Sequence, residues 1–197
     1  MPDYEVVVLD DPGHRQQAAG VAARALRDNP TTLAVSADPF VRFDMLYGTF
    51  ARSMPHVGDV TGAMRGDCVL AVATTSVPGD CIATMLPAAL RVSKPPADDA
   101  TDMDRFLFMG SVMAANDLPD DHWHVGPVGV EPGFQGRGLG HAVMELLCNR
   151  LDDRRGTAWL ETDRPENVRF YLSLGFELMS EEPMLGATFW FLRREPR

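Results

Sequence analysis

The feature that most constrains the fold is a glycine-rich segment joining an apolar run to a helix. The apolar run ends at Val130, and three alternate glycines, Gly136, Gly138 and Gly140, open a segment with leucines at helical spacing. Glycines placed in this way let the main chain turn sharply and let its N–H groups converge on a ligand. The start of the helix adds about half a positive charge. The sequence therefore predicts a strand, a loop and a helix that together bind a phosphate-bearing ligand.

Two familiar phosphate-binding loops do not fit this segment. A Walker loop requires Gly-Lys-Ser or Gly-Lys-Thr, but the one lysine of the chain, Lys94, precedes a proline. The dinucleotide fingerprint G-x-G-x-x-G fails because the third glycine, Gly140, comes one residue early and His141 occupies the required position. The remaining pattern is Q-x-x-G-x-G, from Gln135 to Gly140.

This pattern resembles the loop of the GNAT superfamily of acetyl-CoA-dependent N-acetyltransferases. The segment from Asn167 to Phe176 resembles the family's second signature, with the asparagine three and four residues before Phe170 and Tyr171. The resemblance covers roughly residues 120 to 195 well, the first 75 in element order, and the middle not at all. The closing segment is also somewhat similar to the puromycin-acetylating branch.

The pattern of apolar residues predicts alternating strands and helices with a helical stretch in the middle. The predicted strands are Tyr4–Leu9, Asp59–Met64, Cys68–Thr74, Trp123–Val130, Thr157–Glu161 and two more near the end of the chain; the predicted helices are His14–Arg27, Pro39–Ser53, Ile82–Leu90, Asp104–Ala115, Gly138–Arg150 and Pro165–Leu174. The resemblance implies an α/β (α+β) fold with a central, mixed, mostly antiparallel twisted sheet flanked by helices. It implies one GNAT-like domain over residues 1–197, with a helical insertion at about 78–121 before the fourth strand and an acetyl-CoA-binding core at about 122–176.

The resemblance also implies which residues bind acetyl-CoA, the expected co-substrate. The loop would hold the pyrophosphate, the end of the preceding strand would pair with the pantetheine arm, and the asparagine of the second signature would hydrogen-bond that arm. These residues are Val128, Gly129, Val130, Gln135, Gly136, Arg137, Gly138, Leu139, Gly140, His141, Asn167 and Phe170.

The expected reaction is the transfer of an acetyl group to a primary amine by direct attack in a ternary complex. By resemblance Tyr171 is the general acid, and a main-chain N–H near Val130 stabilises the oxyanion. The general base is left open by the sequence, although imidazole suits this work near neutral pH and His124 shares a strand face with Val128 and Val130. The candidates are His122, His124, Glu131 and Glu161.

No metal site is expected. The pair His122 and His124 suggests ligands, but the sequence offers no third ligand at a recognisable spacing. Three widely spaced cysteines, Cys68, Cys81 and Cys148, fit neither a disulfide framework nor a zinc site, and we predict reduced thiols in the core.

Charge narrows the choice of partners. The chain has 28 acidic and 18 basic residues and a net charge of -10, which disfavours nucleic acids and anionic membrane surfaces. No apolar run approaches the ~20 residues of a membrane helix, and the first residues lack a leader pattern, so a cytoplasmic location is expected. Seven aspartates between positions 98 and 121 favour a cationic small-molecule amine as acceptor.

Other readings of the same residues stay open. Exposed aromatic residues in the closing strands would allow a homodimer. The chain could instead be an acyl-CoA-binding regulatory module without turnover, or its loop could bind a different nucleotide.

Overall fold

The structure, a computed structural model, describes residues 3–80 and 86–197. In chain order the helices and strands are β1 (Glu5–Val8), α1 (Pro12–Leu26), α2 (Pro30–Val35), α3 (Pro39–Ser53), β2 (Val60–Arg65), β3 (Cys68–Thr75), α4 (Asp102–Ala115), β4 (Trp123–Val130), α5 (Leu139–Asp153), β5 (Ala158–Thr162), α6 (Pro165–Ser173), β6 (Glu177–Met184) and β7 (Ala187–Arg194). Short 3-10 turns occur at Ala88–Leu90 and Pro132–Phe134. This is the mixed α/β class that we predicted.

The strands form one sheet in the order β1-β2-β3-β4-β5-β7-β6. Its neighbouring strands run antiparallel except for β4 and β5, which are parallel. Along these two fully described strands the register pairs Trp123 with Ala158 and His124 with Trp159, and no further pair follows. Beyond His124 the two strands diverge, so the sheet contains a wedge-shaped gap, which we call the β4/β5 gap.

Helices cover both faces of the sheet. On one face α5 buries Leu139, Val143 and Leu147 in a cluster that includes α6. On the other face α1 and α3 cover the β1–β3 half, and α2 and α4 cover the β5–β7 half. Helix α1 lies close to β4, because a Cβ on Gly129 would be 2.9 Å from the Cβ of Ala25. The gap therefore lies between well-packed layers.

Capping residues set several of the helix ends. Asp38 caps α3 by accepting from the N–H of Phe40 at 2.8 Å, and Thr101 and Asp104 form a capping box on α4.

Helix α2 is absent from our predictions: we took Pro30 as a stop for α1, whereas proline at the first helical position starts a new helix.

A buried carboxylate ties α5 to the start of β2. Asp59 accepts hydrogen bonds from Arg150, at 2.8 Å, and from Arg154. Burial works to raise the pKa of Asp59, but these hydrogen bonds outweigh burial and lower it. The Asp59 side chain is therefore an anion that stabilises the packing of α5 at neutral pH.

Several expectations fail. Cys148 is buried as predicted, but Cys68 is exposed, because it lies beside the β2–β3 turn; Cys81 lies outside the described residues. The stretch 82–85 of the helix predicted over Ile82–Leu90 also lies outside them, and Ala88–Leu90 forms a 3-10 turn.

The aromatic residues of the last strand are not exposed either. Phe189 and Phe191 of β7 are buried beneath α2 and α4, so they give no support to a homodimer. The exposed apolar side chains on these closing strands are Leu178 and Met179 of β6. Within the described residues, none of the helices combines the length and apolarity needed to cross a bilayer.

Candidate active site

Strand β4 presents main-chain groups to the β4/β5 gap. The N–H of Glu131 donates to a β3 carbonyl at 2.8 Å, and Gly129 is the next residue paired across to β3 in the alternating pattern. Val128 and Val130, which lie between such positions, turn their N–H and C=O groups toward the gap. The C=O of Val130 accepts from the Gln135 side chain at 3.2 Å. The gap therefore contains two N–H donors of β4, those of Val128 and Val130.

A cavity of about 410 Å³ opens at this gap. Its polar lining includes Arg52, Asn29 and several threonines as well as His124, Glu161, Asp163, Asn167 and Tyr171. Its remaining wall is largely apolar and includes Leu46, Phe50, Phe106, Met109, Met113 and Phe189. The cavity thus combines a few polar groups with a hydrophobic surface, which is typical of small-molecule sites.

Tyr171 is buried at this cavity with 6% of its surface exposed. Its ring packs against Phe170 and Phe176, with centroid distances of 5.1 and 5.7 Å. Burial, and secondly the charge of Glu161, raise the pKa of Tyr171 well above its usual range, so the hydroxyl is protonated at neutral pH. Asn167, one turn earlier, lines the same cavity, as the spacing of four residues predicted.

Of the four candidate bases, the structure brings His124 and Glu161 together at the cavity. The Nε2 of His124 lies 3.1 Å from Oε2 of Glu161, and the two residues come from the parallel strands β4 and β5. Glu131 instead forms a bidentate pair with Arg24 of α1, at 2.9 to 3.0 Å. His122 does not line the cavity.

Behind the cavity lies a buried cluster that the sequence did not predict. Asp117, in the loop after α4, places Oδ1 at 3.0 Å from Nε2 of His122 and at 3.7 Å from Nδ1 of His124. The Nδ1 of His122 lies 2.8 Å from the C=O of Asp120. His124 therefore stands between two carboxylates, that of Asp117 and that of Glu161.

Asp163 joins the α1–α2 turn to the β5–α6 turn beside the cavity. Its carboxylate accepts hydrogen bonds from the Asn29 side chain at 2.9 Å and from the N–H and hydroxyl of Thr31 at 2.9 and 2.6 Å. These partners satisfy the carboxylate, so Asp163 fixes the position of the α1–α2 turn against the β5–α6 turn.

The glycine loop is open on its outer side. Gly136 and Gly138 have φ values of +72° and +83°, and a Cβ on either would meet no atom within 4 Å. A Cβ on Gly140 would lie 3.4 Å from a methyl group of Val130. Leu139 is buried under the loop, whereas His141 is exposed and lies edge-on to Phe170 at 6.5 Å. The left-handed backbone requires glycine at the first two positions, and the space outside them is available to a ligand.

Two arginines flank the loop. The guanidinium groups of Arg65 and Arg137 lie 4.9 and 5.1 Å from the ring centroid of Phe134. Arg65, at the end of β2, was missed because nothing in its local sequence connects it with the loop; the β2–β3 hairpin brings it there. The loop therefore carries positive charge in a chain whose overall charge is negative.

The acidic stretch lies elsewhere. None of its seven aspartates, all in the described part of the chain, lines the cavity. Asp104 takes part in the capping box of α4, and Asp102 accepts from the Ser36 hydroxyl at 2.6 Å. Contrary to our prediction, these aspartates therefore do not place negative charge at the cavity, where the carboxylates are those of Glu161 and Asp163.

Comparison with known proteins agrees with this geometry. Residues 100–176 match the sequence model of the Acetyltransferase (GNAT) family. The chain is 32% identical over 101 residues, 51% of its own length, to a probable acetyltransferase, TAP2, of Glycine max. It spans 38% of that relative's length.

Solved structures share the fold along the whole chain. An agmatine N-acetyltransferase in its apo form is 17% identical with a TM-score of 0.66, and the match covers 96% of this chain and 99% of that one. The Drosophila melanogaster polyamine N-acetyltransferase is 16% identical with a TM-score of 0.68, over 97% and 100%. The PaiA N-acetyltransferase of Thermoplasma acidophilum, solved with coenzyme A, is 9% identical with a TM-score of 0.59, over 98% of each chain. Residues 100–176 are therefore similar to the GNAT acetyltransferase family, and the chain shares its fold with these N-acetyltransferases.

Proposed function

We propose that the protein transfers the acetyl group of acetyl-CoA to the primary amine of a small molecule, by direct attack in a ternary complex. One observation carries this proposal: Val128, Glu161 and Tyr171 line one cavity at the β4/β5 gap, and the N–H of Val128 faces that gap. These are the donors, acid and acceptor that acyl transfer to an amine requires.

The glycine loop supports the binding of coenzyme A. Its N–H groups at Gly136 and Gly138 and the first turn of α5 suit a diphosphate, and Arg65 and Arg137 add opposite charge. Asn167 lines the cavity one turn before Tyr171, and its side-chain amide would hydrogen-bond the pantetheine arm. The extended arm would then lie along the Val128–Val130 edge of β4.

Each step of the reaction has a group in the cavity. The amine nitrogen attacks the thioester carbonyl, and an N–H of β4 stabilises the oxyanion, an effect typically worth about 3 kcal/mol. The carbon–sulfur bond then breaks, the electron pair goes to sulfur, and Tyr171 donates a proton to the thiolate. The proton lost by the attacking amine passes to Glu161.

Glu161 is favoured over His124 as the acceptor of this proton. The Glu161 side chain is 13% exposed and the His124 side chain 3%, so the carboxylate is the group that a substrate can reach. His124, fixed between the carboxylates of Asp117 and Glu161, would orient Glu161 from behind.

The cavity wall also indicates the acceptor. A carboxylate at Glu161 attracts an ammonium group, while Phe106, Met109 and Phe189 present an apolar surface to the rest of the molecule. The agmatine and polyamine enzymes that share the fold are named for strongly polar amines. We infer for this chain a monoamine with an apolar body, because the Asp163 carboxylate is already hydrogen-bonded and a second cation would face Arg52 and apolar side chains in this cavity.

Calorimetry with acetyl-CoA, followed by thiol release with a panel of amines, tests the proposal. We expect heat of binding, and a higher kcat/KM for an arylalkyl monoamine than for a diamine of equal length. Equal kcat/KM values for the two amines would contradict our inference that the acceptor is a monoamine with an apolar body. Binding without thiol release for any amine would indicate an acyl-CoA-binding module, and no binding of acetyl-CoA would overturn the function itself.

A further inference from the structure

The buried cluster behind the cavity has the construction of a metal site. We propose that Asp117, His122 and His124 bind one divalent transition-metal ion, with Zn²⁺ favoured by the two-imidazole, one-carboxylate ligand set. The three ligands are not reacting groups of the proposed function, although His124 contacts Glu161, and the proposal replaces our expectation that the chain holds no metal.

The spacing of the ligand atoms fits a metal better than it fits hydrogen bonds. One atom from each of Asp117, His122 and His124 lies within 4.8 Å of the other two. The carboxylate oxygen is 3.0 Å from Nε2 of His122 and 3.7 Å from Nδ1 of His124. Bonds of about 2.0–2.1 Å in a tetrahedron place ligand atoms about 3.3–3.5 Å apart, between these two distances. A separation of 3.7 Å is too long for a hydrogen bond, whereas a shared ion spans it.

The outer nitrogen of His122 has an acceptor, as in known metal sites, and that of His124 lies near a carboxylate. Nδ1 of His122 lies 2.8 Å from the C=O of Asp120, and Nε2 of His124 lies 3.1 Å from Oε2 of Glu161. The His122 ring therefore can donate its outer N–H to this carbonyl and turn its Nε2 lone pair inward, and the outer nitrogen of His124 lies at ion-pair distance from Glu161. Metal-binding histidines show this arrangement almost without exception, because it fixes the tautomer and raises the basicity of the ligating nitrogen.

Charge and burial favour a cation at the same point. The side chains of Asp117, His122 and His124 are 7%, 6% and 3% exposed. With neutral imidazoles the cluster and Glu161 carry two negative charges, and the inner lone pairs of the rings face a carboxylate oxygen. A dication removes both of these unfavourable terms. Protons on the two histidines would do so as well, and the experiment separates these two states.

The ion would fasten the loop after α4 to the start of β4, the strand that this loop leads into. Asp117 belongs to the loop that follows α4, and His122 and His124 belong to the start of β4 and the residue before it. Through His124 the ion would also hold Glu161 at the cavity, so its place is structural, one residue removed from the reacting atoms. The sequence did not indicate this site, because Asp117 lies five and seven residues before the two histidines, in a loop with no regular periodicity.

Metal content of untagged protein provides the test. Protein stripped with a chelator and dialysed against Zn²⁺ should retain one equivalent and melt at a higher temperature than the stripped form. Substitution with Co²⁺ should give the intense visible absorption of a near-tetrahedral site. Protein that retains no zinc and shows no such absorption would overturn the proposal and leave the protonated histidines as the cations of the cluster.

Variants locate the ion. Asp117→Asn and His122→Gln should weaken Zn²⁺ binding more than Glu161→Gln does. Glu161→Gln, which changes a neighbour of the ligand His124, should lower the Zn²⁺ affinity about 10- to 100-fold. His56→Gln removes an exposed imidazole and should bind as the wild type does. If the ligand variants fold, by circular dichroism, and keep wild-type affinity, the assignment is wrong. If they do not fold, the Glu161→Gln affinity decides: an unchanged value would refute the site.

Discussion

Tyr171→Phe separates chemistry from packing more cleanly than any other change in this site. The substitution removes one hydroxyl and keeps the ring, which packs against Phe170 and Phe176. Among the described residues the Tyr171 hydroxyl makes no hydrogen bond, so its removal should change the free energy of unfolding by less than about 1 kcal/mol. Loss of activity in the variant therefore cannot be attributed to unfolding.

The expected loss of activity follows from the role of the hydroxyl. A general acid contributes about 100-fold or more, and each tenfold corresponds to about 1.4 kcal/mol, so the barrier should rise by about 2.7 kcal/mol or more. The dissociation constant of acetyl-CoA should stay nearly constant. Because burial and the Glu161 charge raise the pKa of Tyr171, the wild-type kcat should not fall through loss of this proton up to about pH 10, the ordinary tyrosine value.

Single-turnover kinetics with saturating acetyl-CoA provides the assay, since it reports chemistry without product release. Thermal melting of both proteins in parallel provides the control. A variant with kcat within about threefold of the wild type in these conditions would exclude Tyr171 as the acid and leave the thiolate to be protonated by solvent.

Three further predictions concern binding and stability. Gly138→Val should raise the acetyl-CoA Kd at least about tenfold in calorimetry, because its side chain would fill the outer space of the loop at a φ of +83°, whereas Gly133→Val, also open but without positive φ, should have a smaller effect; equal effects would contradict the loop assignment. Arg65→Gln and Arg137→Gln should each raise that Kd by about 3- to 10-fold at low salt and less at high salt; salt-independent losses would contradict a charge role. Asp59→Asn should destabilise the fold by roughly 1–3 kcal/mol at pH 7. Since the folded pKa of Asp59 is lowered, its contribution exists above about pH 4 and disappears as pH falls through the folded pKa, so melting curves of the two proteins should converge in acid; a constant difference would refute this account.

The sequence predicted most of the elements because proline, glycine and capping residues mark their ends. Helix α3 and strand β4 begin and end where the pattern predicted. Helix α2 was missed because Pro30 has two readings, a stop and a first helical residue, and local sequence does not choose between them.

The candidate site was less accessible to sequence reasoning, since it depends on the strand register. His124 meets Glu161 because β4 and β5 are parallel and paired at His124 and Trp159. Arg65 reaches the loop through a hairpin, and Asp117 joins the two histidines from a loop without periodicity. The local sequence around each of these residues does not indicate the contact, because the contact depends on how the chain folds.

The wedge in the sheet has a consequence for how the protein behaves before it meets its ligand. The N–H groups of Val128 and Val130 face the β4/β5 gap, where β4 is no longer paired with β5. A ligand with an extended amide backbone would pair with this edge of β4 as an added strand. Hydrogen exchange at these two amides should therefore be slower in the ligand-bound protein than in the free protein. Under the proposed function, the bound acyl donor would thus complete hydrogen bonds that β4 does not make with β5.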